Sequence, residues 1–490
     1  MYRFFEMLPA LLSLGTLALF VVLSIKKPGV AAYMTILFSM YWLMKTAYLS
    51  MHLRYNFHRM RHNMHIDWNE RLSSVRFDGY THLVIIPFFD ESADVLRESV
   101  RSIAYAKWDQ KNIIVVLAAE ARASRGKAIA ETIRGEFEGV FMEFAITEHP
   151  AGVPGELPGK GSNLTYAMEE MRKHVIDPRE LSYERVIVSA FDSDTVVYPQ
   201  YFACLTWYVC TCKKPLRTSF QPVPLYNNNI WNVPILSRVI AYSSSFWQMI
   251  QQERPEKLAT FSSHAMLFAP LYEVGYWQKN VVSEDSRIFW NLFVHFDSDY
   301  RVQPMAYPVS MDANASSSFW GTARNIYKQH RRWTYGAENV AYILFAFVKN
   351  PVIPISQKIK FAFYQIEGFW SLATHPLILL FFGWLPLFIG GKAFNASVLS
   401  YSLPTVARSF LTLAMLGLIV SAAICMNLLP ERPRGVPRHR SLTMVFQWIL
   451  VPVTMVIFSA IPGIESQLRL LFGRYLGFWV TPKLARATHE

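Results

Sequence analysis

The chain has 490 residues, of which 52% are hydrophobic and only 17% are charged, well below the roughly 25% charged content of a soluble domain. Its formal net charge of +12 is concentrated between apolar segments, as in the cytoplasmic loops of membrane proteins. Such a charge also occurs in nucleic-acid-binding proteins, but no nucleic-acid recognition motif accompanies it, so a membrane protein is favoured and a nucleic-acid partner is not.

The N-terminal part contains two apolar segments. Met7 to Ile25 is uncharged and about as long as one bilayer crossing, which takes roughly 20 residues. Because it lacks a small-residue cleavage site, we interpret it as a retained anchor and not as a signal peptide. The second segment runs from Val30 to Met44, or to Met51 if Lys45 extends to the membrane interface. The two segments predict a transmembrane hairpin over residues 1–53.

The central part, residues 54–345, has no segment suited to a membrane span and is predicted to be a cytosolic domain. Strand-like runs alternate there with helical patterns. The runs are HLVIIPFF (82–89), NIIVVLAAE (112–120), FMEFAITEH (141–149) and ERVIVSAFDSD (184–194). This alternation predicts an α/β fold with a largely parallel sheet covered by helices on both faces. Ligands of such sheets bind at the carboxyl ends of the strands.

The C-terminal part is apolar again. Trp370 to Gly391 and Ser409 to Leu429 are predicted spans, and the basic sequence PERPRGVPRHR after the second indicates a cytoplasmic loop. A third uncharged stretch, Ser441 to Ile464, contains Pro452 and Pro462 and leads into an amphipathic segment. Whether this third stretch crosses the membrane stays open from its composition.

Two acidic clusters follow apolar stretches of the central part. Asp192 and Asp194 come directly after a predicted strand, where side chains two residues apart point the same way. Such a pair can hold a hard divalent cation together with substrate phosphates, although acidic turns after strands are also common. The second cluster is Ser283, Glu284 and Asp285. It is typical of a helix N-terminus, a role that leaves Asp285 available as a base.

Two basic elements complete the set. PGKGSNL, residues 158–164, places Lys160 ahead of a helix, where it suits a diphosphate or is a plain glycine-rich turn. In QHRRW, residues 329–333, arginines and a tryptophan come just before the C-terminal apolar region. An interfacial membrane anchor explains the arginines and Trp333, but it does not require Gln329.

These elements resemble, in their order along the chain, the motifs of the processive, membrane-integrated family 2 glycosyltransferases, which include cellulose, hyaluronan, chitin and mannan synthases. The similar stretches are Pro87-Phe88-Phe89-Asp90-Glu91, Lys160-Gly161-Ser162-Asn163, Asp192-Ser193-Asp194, Ser283-Glu284-Asp285, Gln329-His330-Arg331-Arg332-Trp333 and the tail FWVTPK from Phe478 to Lys483. The tail is similar to the loop with which these synthases cover a bound nucleotide. The resemblance implies a GT-A (Rossmann-like) cytosolic domain inserted between N- and C-terminal transmembrane helices, with interfacial amphipathic helices.

The resemblance also implies roles for individual residues. Asp285 would be the catalytic base, with Glu284 and Asp192 beside it, and Mg²⁺ or Mn²⁺ would be held chiefly by Asp194, with Asp192 touching the metal or the nucleotide sugar. The implied donor-binding residues are Asp90, Glu91, Glu120, Lys160, Asp192, Gln329, Arg331, Arg332, Phe478, Thr481 and Lys483. The implied acceptor-binding residues are Trp333, Ser263 and His264.

Two positions depart from the family pattern. Where relatives carry an Asp-Asp-Gly-like turn after the second strand, this chain offers only Glu120, so UDP- and GDP-sugars both stay open as donors. FSSHAML, residues 261–267, replaces a small-residue acceptor loop, and His264 within it either contacts substrate or is a satisfied core histidine, the interpretation that we favour. If Ser441 to Ile464 crossed the membrane, the tail would lie outside, so we expect this stretch to lie in the interface or to re-enter, which leaves four spans.

The predicted organisation is a transmembrane hairpin (1–53), a catalytic domain (54–345), an interfacial helix region (346–369), C-terminal transmembrane helices (370–430) and an interfacial or re-entrant segment with the tail (431–490). The implied activity is inverting transfer from a nucleotide sugar to a growing polysaccharide at the inner face of the plasma membrane, coupled to export. The implied partners are the donor, a glycan acceptor, the bilayer and an accessory export subunit. Alternatives are a non-processive transferase that adds one sugar to a lipid, and a catalytically silent scaffold or transporter.

Overall fold

The computed structural model describes residues 1–433, 435–437 and 439–481, so Lys483 of the predicted nucleotide-covering tail lies outside the described residues. A single mixed sheet forms the centre of the described fold. Its strands are β1 Thr81–Pro87, β2 Ile113–Glu120, β3 Glu143–His149, β4 Val186–Ala190, β5 Val196–Val197, β6 Thr218–Tyr226, β7 Ala265–Leu267 and β8 Arg301–Met311. The four strand-like runs of the sequence correspond to β1, β2, β3 and β4.

The strand order in this sheet is β3-β2-β1-β4-β7-β6-β8-β5. Strands β1 to β4 pair in parallel, as predicted, and β6 pairs in parallel with β8. The short strand β7 runs antiparallel to both of its neighbours, β4 and β6, and β5 runs antiparallel to β8. The sheet is therefore mixed, and the prediction of a largely parallel sheet is correct only for its first half.

Helices cover both faces of the sheet and make up most of the described N- and C-terminal parts. Those of the first part are α1 Tyr2–Lys26, α2 Pro28–His65, α3 Trp68–Leu72, α4 Ala93–Ala104, α5 Gly126–Glu136, α6 Lys160–Met171, α7 Tyr201–Thr211, α8 Ile235–Gln252, α9 Phe268–Glu273 and α10 Glu284–His295. The later helices are α11 Phe319–Thr334, α12 Glu338–Lys349, α13 Ile355–Leu380, α14 Leu385–Ile389, α15 Gly391–Asn395, α16 Val398–Leu428, α17 His439–Phe446, α18 Val451–Met455 and α19 Ile461–Leu471.

Strand β1 shows why an apolar run without alternation becomes a central strand. All seven of its residues are buried, and consecutive side chains enter opposite cores. Val84 and Ile86 pack in the cluster that includes α4 and α7, whereas Leu83 and Ile85 pack in the cluster that includes α6 and α10. Each such side chain contributes about 1.5–3 kcal/mol by leaving water. The two cores hold the sheet as a rigid platform for the loops at its carboxyl end.

Among the residues that the structure describes, three helical stretches are long and apolar enough to cross a membrane, namely Tyr2–Lys26, Val398–Leu428 and Thr443–Leu471. A fourth would form if Ile355–Leu380 and Phe382–Ile389, which are bent by 44° relative to each other, acted as one broken span. Helix α2 continues unbroken from the predicted second span into the basic segment at His65 and is not among these stretches. The position of residues 441–464 relative to a bilayer stays a prediction.

The C-terminal helix α19 brings the end of the chain back to the central domain. It packs against α1 and against α11, the helix that contains Gln329 and Trp333. At its carboxyl end, backbone carbonyls of Leu470 and Leu471 accept hydrogen bonds from Arg3. This packing starts the tail beside the carboxyl end of the sheet.

Candidate active site

The candidate site lies where strands β1, β4, β6 and β8 end. Because β4 and β6 both run antiparallel to β7, the carboxyl ends of all four strands meet at one edge of the sheet. The residues that follow these strands include Glu91 after β1, Asp192 and Asp194 after β4, and Asp312 after β8, while β6 ends at Tyr226. The predicted acidic residues after β1 and β4 are thus brought to the same edge.

Lys160 joins the two acidic clusters. Its Nζ atom donates a hydrogen bond to Asp192 Oδ1 at 2.5 Å and lies 2.9 Å from Asp285 Oδ1. Burial by itself lowers the pKa of the Lys160 ammonium, but the charges of Asp192, Asp285 and Glu284 outweigh it, so the pKa lies above its ordinary value. Lys160 therefore carries its charge at neutral pH and binds both clusters together.

Two glycines allow Lys160 to reach this position at the start of α6. A Cβ atom on Gly161 would lie 2.8 Å from the backbone oxygen of Gln278, so only glycine lets this turn approach the segment before α10. Gly159 has a φ of +155°, and a Cβ there would lie 2.5 Å from the ring of Phe478. Asn163, from the same predicted element, donates a hydrogen bond to the Ala118 carbonyl at 2.7 Å and so fixes α6 to the end of β2.

The two acids of the D-x-D motif have different environments. The Asp192 side chain is 31% exposed and accepts a hydrogen bond from the Ser262 hydroxyl at 2.8 Å. Asp194 is buried, and its Oδ2 atom accepts from the backbone amide of Asp312 at 2.9 Å. Asp192 is therefore the acid that faces the open site, and Asp194 fixes the loop after β8.

The predicted base lies in the first turn of α10, as the sequence indicated. Glu284 is buried at the start of this helix, and Asp285 is partly exposed beside Lys160. Burial raises the pKa of Glu284, and the neighbouring charge of Asp285 raises it further, while Lys160 lowers it. Glu284 thus favours its protonated form more than an ordinary glutamate. Ser283 occupies the N-cap position but forms no side-chain cap to the helix.

Trp333 and Gln329 of α11 line a small cavity together with Tyr226, Asp312 and Asn314. The indole ring centroid lies 6.2 Å from that of Tyr226, and Gln329 Oε1 accepts a hydrogen bond from Asn314 Nδ2 at 3.1 Å. Burial raises the pKa of Tyr226 well above its usual value, and the charges of Asp192, Asp194 and Asp285 raise it further. Tyr226 therefore lines the aromatic cavity at a place where the charges of all three predicted acids act on it.

The adjacent arginines of this motif have different partners. Arg331 Nη1 forms an ion pair with Glu465 Oε1 of α19 at 2.8 Å. Arg332 lies with its Cζ atom 4.7 Å from the ring centroid of Phe478, and its charge lowers the pKa of Glu284. Of the two, Arg332 is the cation at the acidic site.

The tail returns to the same site. Phe478 packs against the Gly159 backbone and against Arg332. Just before it, the Leu476 amide donates a hydrogen bond to the Tyr335 hydroxyl at 3.2 Å. Thr481, the last described residue, is buried. The tail therefore lies over the turn that carries Lys160.

A comparison with protein families identifies the chain. Residues 187–461, more than half of its length, match the model of glycosyl transferase family group 2. The chain belongs to this family. It is a glycosyltransferase that uses a nucleotide-sugar donor, and its mixed sheet with covering helices is a GT-A-like α/β fold.

Solved structures similar to this glycosyltransferase share little sequence with it. The mannosyltransferase PcManGT from Pyrobaculum calidifontis, solved in complex with GDP-Man and Mn²⁺, is 14% identical, with 85% of this chain and 99% of that chain covered and a TM-score of 0.45. S. aureus TarS 1–349 in complex with UDP-GlcNAc is 11% identical, with 81% and 93% covered and a TM-score of 0.37. A comparison with curated proteins gave no match.

The oxygen ligands of this glycosyltransferase fit a metal ion only in part. Among the residues that the structure describes, no three His, Cys, Asp or Glu side chains gather as a metal site. Asp192 and Asp194 nevertheless offer hard oxygen ligands, and Mg²⁺ is commonly held by one or two carboxylates plus substrate phosphates. These two carboxylates therefore fit a cation that binds together with a diphosphate.

The predicted nucleotide-binding residues at β1 and β2 lie in two groups. Glu120 is buried, forms an ion pair with Arg122, and lines a pocket with His149 and Glu156. Asp90 is exposed and pairs with Arg125 at 3.1 Å. Glu91 is not among the residues that line that pocket.

Glu91 contacts the D-x-D turn itself. Its Oε1 atom accepts a hydrogen bond from the Ser193 hydroxyl at 3.0 Å, and its Oε2 atom accepts from the Phe89 amide at 2.7 Å. Because Ser193 lies between Asp192 and Asp194, Glu91 fixes the turn that presents both acids. Glu91 and Asp90 therefore point to different partners although they are adjacent in the sequence.

The structure also locates the two predicted acceptor residues before β7. Ser263 has a φ of +64°, and its hydroxyl lies 3.1 Å from that of Thr195. His264 is buried, with Nδ1 bonded to the Phe261 carbonyl at 2.8 Å and Nε2 accepting from Trp277 Nε1 at 3.2 Å. Both ring nitrogens of His264 thus have protein partners, as expected of a core histidine, although Nδ1 lies 3.8 Å from Asp285 Oδ1.

Sequence reasoning missed Tyr226 and Asp312 because it missed the strands that precede them. Strand β6 contains Pro222 and Pro224, and β8 contains two more prolines. Proline donates no backbone hydrogen bond and argues against a central strand, which hid both elements. The apolar residues Phe220, Val223 and Leu225 around the prolines of β6 are the signal that was available.

Proposed function

We propose that this glycosyltransferase is an inverting, processive enzyme that lengthens a polysaccharide at the inner face of the plasma membrane and passes it into export between its apolar helices. The observation that supports this most is the position of Lys160, which contacts both Asp192 and Asp285. Gly159, the residue before Lys160, lies against the tail residue Phe478, and Asp312, whose amide binds Asp194, lines the cavity that contains Trp333. One site therefore contains the proposed base together with the proposed binding surfaces for the donor and the acceptor.

Asp285 is the proposed general base. Its carboxylate takes the proton of an acceptor hydroxyl while that oxygen forms a bond to the anomeric carbon of the donor sugar. The bond between this carbon and the diphosphate oxygen breaks, and the electron pair leaves with the diphosphate. Because the attack comes from the face opposite the leaving group, the configuration inverts and no covalent enzyme intermediate forms.

Lys160 and Arg332 are the proposed partners of the leaving diphosphate. Preorganised cations at the oxygens where negative charge develops lower the barrier without reorganisation of solvent. Mg²⁺ or Mn²⁺, held by Asp192 and Asp194 together with the diphosphate, would neutralise further charge. Arg331 is assigned to Glu465 instead, because the structure places that ion pair at 2.8 Å.

The acceptor is proposed to lie against Trp333. This indole and the rings of Tyr226 and Phe261 give flat apolar surfaces, with centroid separations from Trp333 of 6.2 and 6.0 Å. Aromatic faces of this kind suit the apolar face of a sugar ring. Gln329 lines the same cavity and adds a polar contact, which supports a glycan acceptor over a lipid.

The experiment is a screen of UDP- and GDP-sugars against the purified protein in detergent, with nucleotide release and product length as readouts. We expect one donor to give release and a series of long products, with Asp285→Asn inactive and Asp299→Asn, an exposed carboxylate paired with Lys214, unchanged. A glycolipid with a single added sugar as the sole product would overturn the polymerase. Full turnover by Asp285→Asn would overturn the assigned base.

A further inference from the structure

Glu338, which the mechanism above does not use, contacts the segment that carries Asp285. Its Oε1 atom accepts hydrogen bonds from the backbone amides of Val282 at 3.2 Å and Ser283 at 3.1 Å, and from the Ser283 hydroxyl at 2.6 Å. Since Ser283 forms no side-chain cap of its own, a carboxylate from another helix satisfies donors at the entry of α10. Negative charge at a helix N-terminus is also favourable to the helix dipole.

The next residue, Asn339, holds the same turn at its other end. Asn339 is buried, and its Oδ1 atom accepts a hydrogen bond from Arg287 Nε at 2.5 Å. Its Nδ2 atom donates to the Ser286 hydroxyl at 2.9 Å and to the Ser283 hydroxyl at 3.3 Å. Arg287 is buried as well, with its guanidinium 4.3 Å from the ring centroid of Tyr342 in α12. The residues directly before Glu284 and directly after Asp285 are therefore fixed by α12.

Helix α12 follows α11 almost without interruption. Only the turn Tyr335–Ala337 separates α11, which presents Arg332 and Trp333, from Glu338. The chain segment with the proposed leaving-group cation and acceptor surface thus directly holds the segment with the proposed base. A displacement of about 1 Å between reacting groups can cost roughly 100-fold in rate, so these contacts bear on catalysis.

We propose that Glu338 and Asn339 are positioning residues that set the place of Asp285 relative to Arg332 and Trp333, an inference that rests on the proposed function of Asp285. Neither residue belongs to the proposed donor-binding or acceptor-binding surfaces. Glu338 acts through the amides at the entry of α10, and Asn339 acts through Ser286 and Arg287. Their loss therefore affects the step in which the proton is transferred and leaves donor affinity largely unchanged.

The test compares Glu338→Ala and Glu338→Gln in the purified full-length protein. Glu338→Ala should lower kcat roughly 100-fold with the donor KM changed by less than about threefold. Hydrogen–deuterium exchange of the peptide over residues 280–288 should become faster, because the amides of Val282 and Ser283 lose their acceptor. Glu338→Gln keeps an acceptor oxygen and should restore kcat to within about threefold. Glu131→Ala, which removes a carboxylate from the exposed side of α5, is the matched control.

A wild-type kcat for Glu338→Ala, a change confined to KM, or unchanged exchange at residues 280–288 would overturn the positioning role alone. Absence of turnover by the unaltered protein with every nucleotide sugar would overturn the proposed function and the positioning role together. Should Glu338→Ala fail to fold, Glu338→Asp and Asn339→Ala address the same turn, and the same three readings decide between the two outcomes.

Discussion

The ammonium of Lys160 lies 2.9 Å from a carboxylate oxygen of Asp285, the residue proposed to accept the proton. Without a bound donor, the charge of the proposed base Asp285 is therefore balanced by Lys160. The same ammonium is proposed to bind the diphosphate of the donor. A diphosphate that binds Lys160 would compete with Asp285 for the ammonium and free the carboxylate to contact the acceptor hydroxyl. Asp285 is therefore expected to be released from its ion pair with Lys160 only when a donor is bound.

Replacement of Lys160 by methionine is expected to destabilise the fold in a pH-dependent way. Without the ammonium, the pKa of Glu284 rises further above its value in the unfolded chain, because burial and the charge of Asp285 raise it and Lys160 no longer lowers it. A group with a raised folded-state pKa stabilises the fold at low pH and loses this contribution as the pH rises through that pKa. Lys160→Met should therefore cost about 2 kcal/mol at pH 8 and less at pH 5.

Thermal unfolding of Lys160→Met and the unaltered protein at pH 5 and pH 8 measures this difference. Lys214→Met is the matched control, because Lys214 forms an ion pair with Asp299 in which both side chains are more than half exposed. This control should lose less than about 1 kcal/mol at either pH. An equal loss of stability at both pH values for Lys160→Met would contradict the expectation.

Gly159→Ala is expected to displace the tail. The new Cβ would lie 2.5 Å from Phe478, which has no room to stay in place. Trypsin cleavage at Arg474 should then become faster, and the donor KM should rise by roughly tenfold if the tail covers the nucleotide. Gly139→Ala is the control, since Gly139 also has a positive φ, of +71°, but no atom lies within 4 Å of its Cβ position.

The control separates backbone strain from loss of the tail contact. A non-glycine residue in the left-handed region costs roughly 1–2 kcal/mol whatever surrounds it. If Gly139→Ala and Gly159→Ala changed cleavage and KM equally, strain alone would explain both. Combining Gly159→Ala with Phe478→Ala should add little to either single change, because both remove the same contact.

How far the sequence predicts this site depends on the range of the interactions involved. Strands β1 and β2 follow from uninterrupted apolar runs, and the first turn of α10 follows from Glu284 and Asp285, because these signals are local. The ion pairs of Lys160 join residues that are 32 and 125 positions apart, and no local pattern encodes them. The motif order suggested one site, but the choice of partners required the fold.

The QHRRW stretch shows the same limit. The sequence does not show which of Arg331 and Arg332 faces the site, since they are adjacent and chemically identical. On a helix, adjacent residues point about 100° apart, so one can face the site while the other faces a neighbouring helix. Only the packing of α19 against α11 reveals that Glu465 binds Arg331.

Removal of the Trp333 indole is expected to shorten the product without abolishing chemistry. The ring lies among Tyr226, Phe261 and His330, and its proposed role is to hold the acceptor. Trp333→Ala should therefore give shorter chains and a lower kcat with acceptor, whereas Trp333→Phe keeps a flat ring and should be close to the unaltered protein. Gel analysis of labelled product measures chain length.

Trp320, at the start of the same helix, supplies the matched control for this change. Its side chain is 80% exposed, so Trp320→Ala removes an indole without altering the cavity. Product length should be unchanged in this variant. Equal shortening by Trp320→Ala and Trp333→Ala would contradict a specific acceptor role for Trp333.

The two adjacent arginines are expected to differ in their contribution to turnover. Arg332→Gln removes the cation beside Glu284 and Phe478 and should lower kcat/KM for the donor roughly 100-fold, the usual loss for one stabilising group at a leaving oxygen. Arg331→Gln breaks the partly exposed pair with Glu465, which is worth at most about 1 kcal/mol, and should lower kcat/KM less than about fivefold. Steady-state nucleotide release measures both.

Glu465→Gln tests the assignment of Arg331 from the other side of the pair. If Arg331 serves only to bind α19, the loss in Arg331→Gln and in Glu465→Gln should be similar, and the double variant should lose no more than either one. If Arg331 instead reaches the diphosphate, freeing it from Glu465 should lower the donor KM, while Arg331→Gln should raise it. Opposite effects of the two single variants on KM would therefore overturn the division of roles between Arg331 and Arg332.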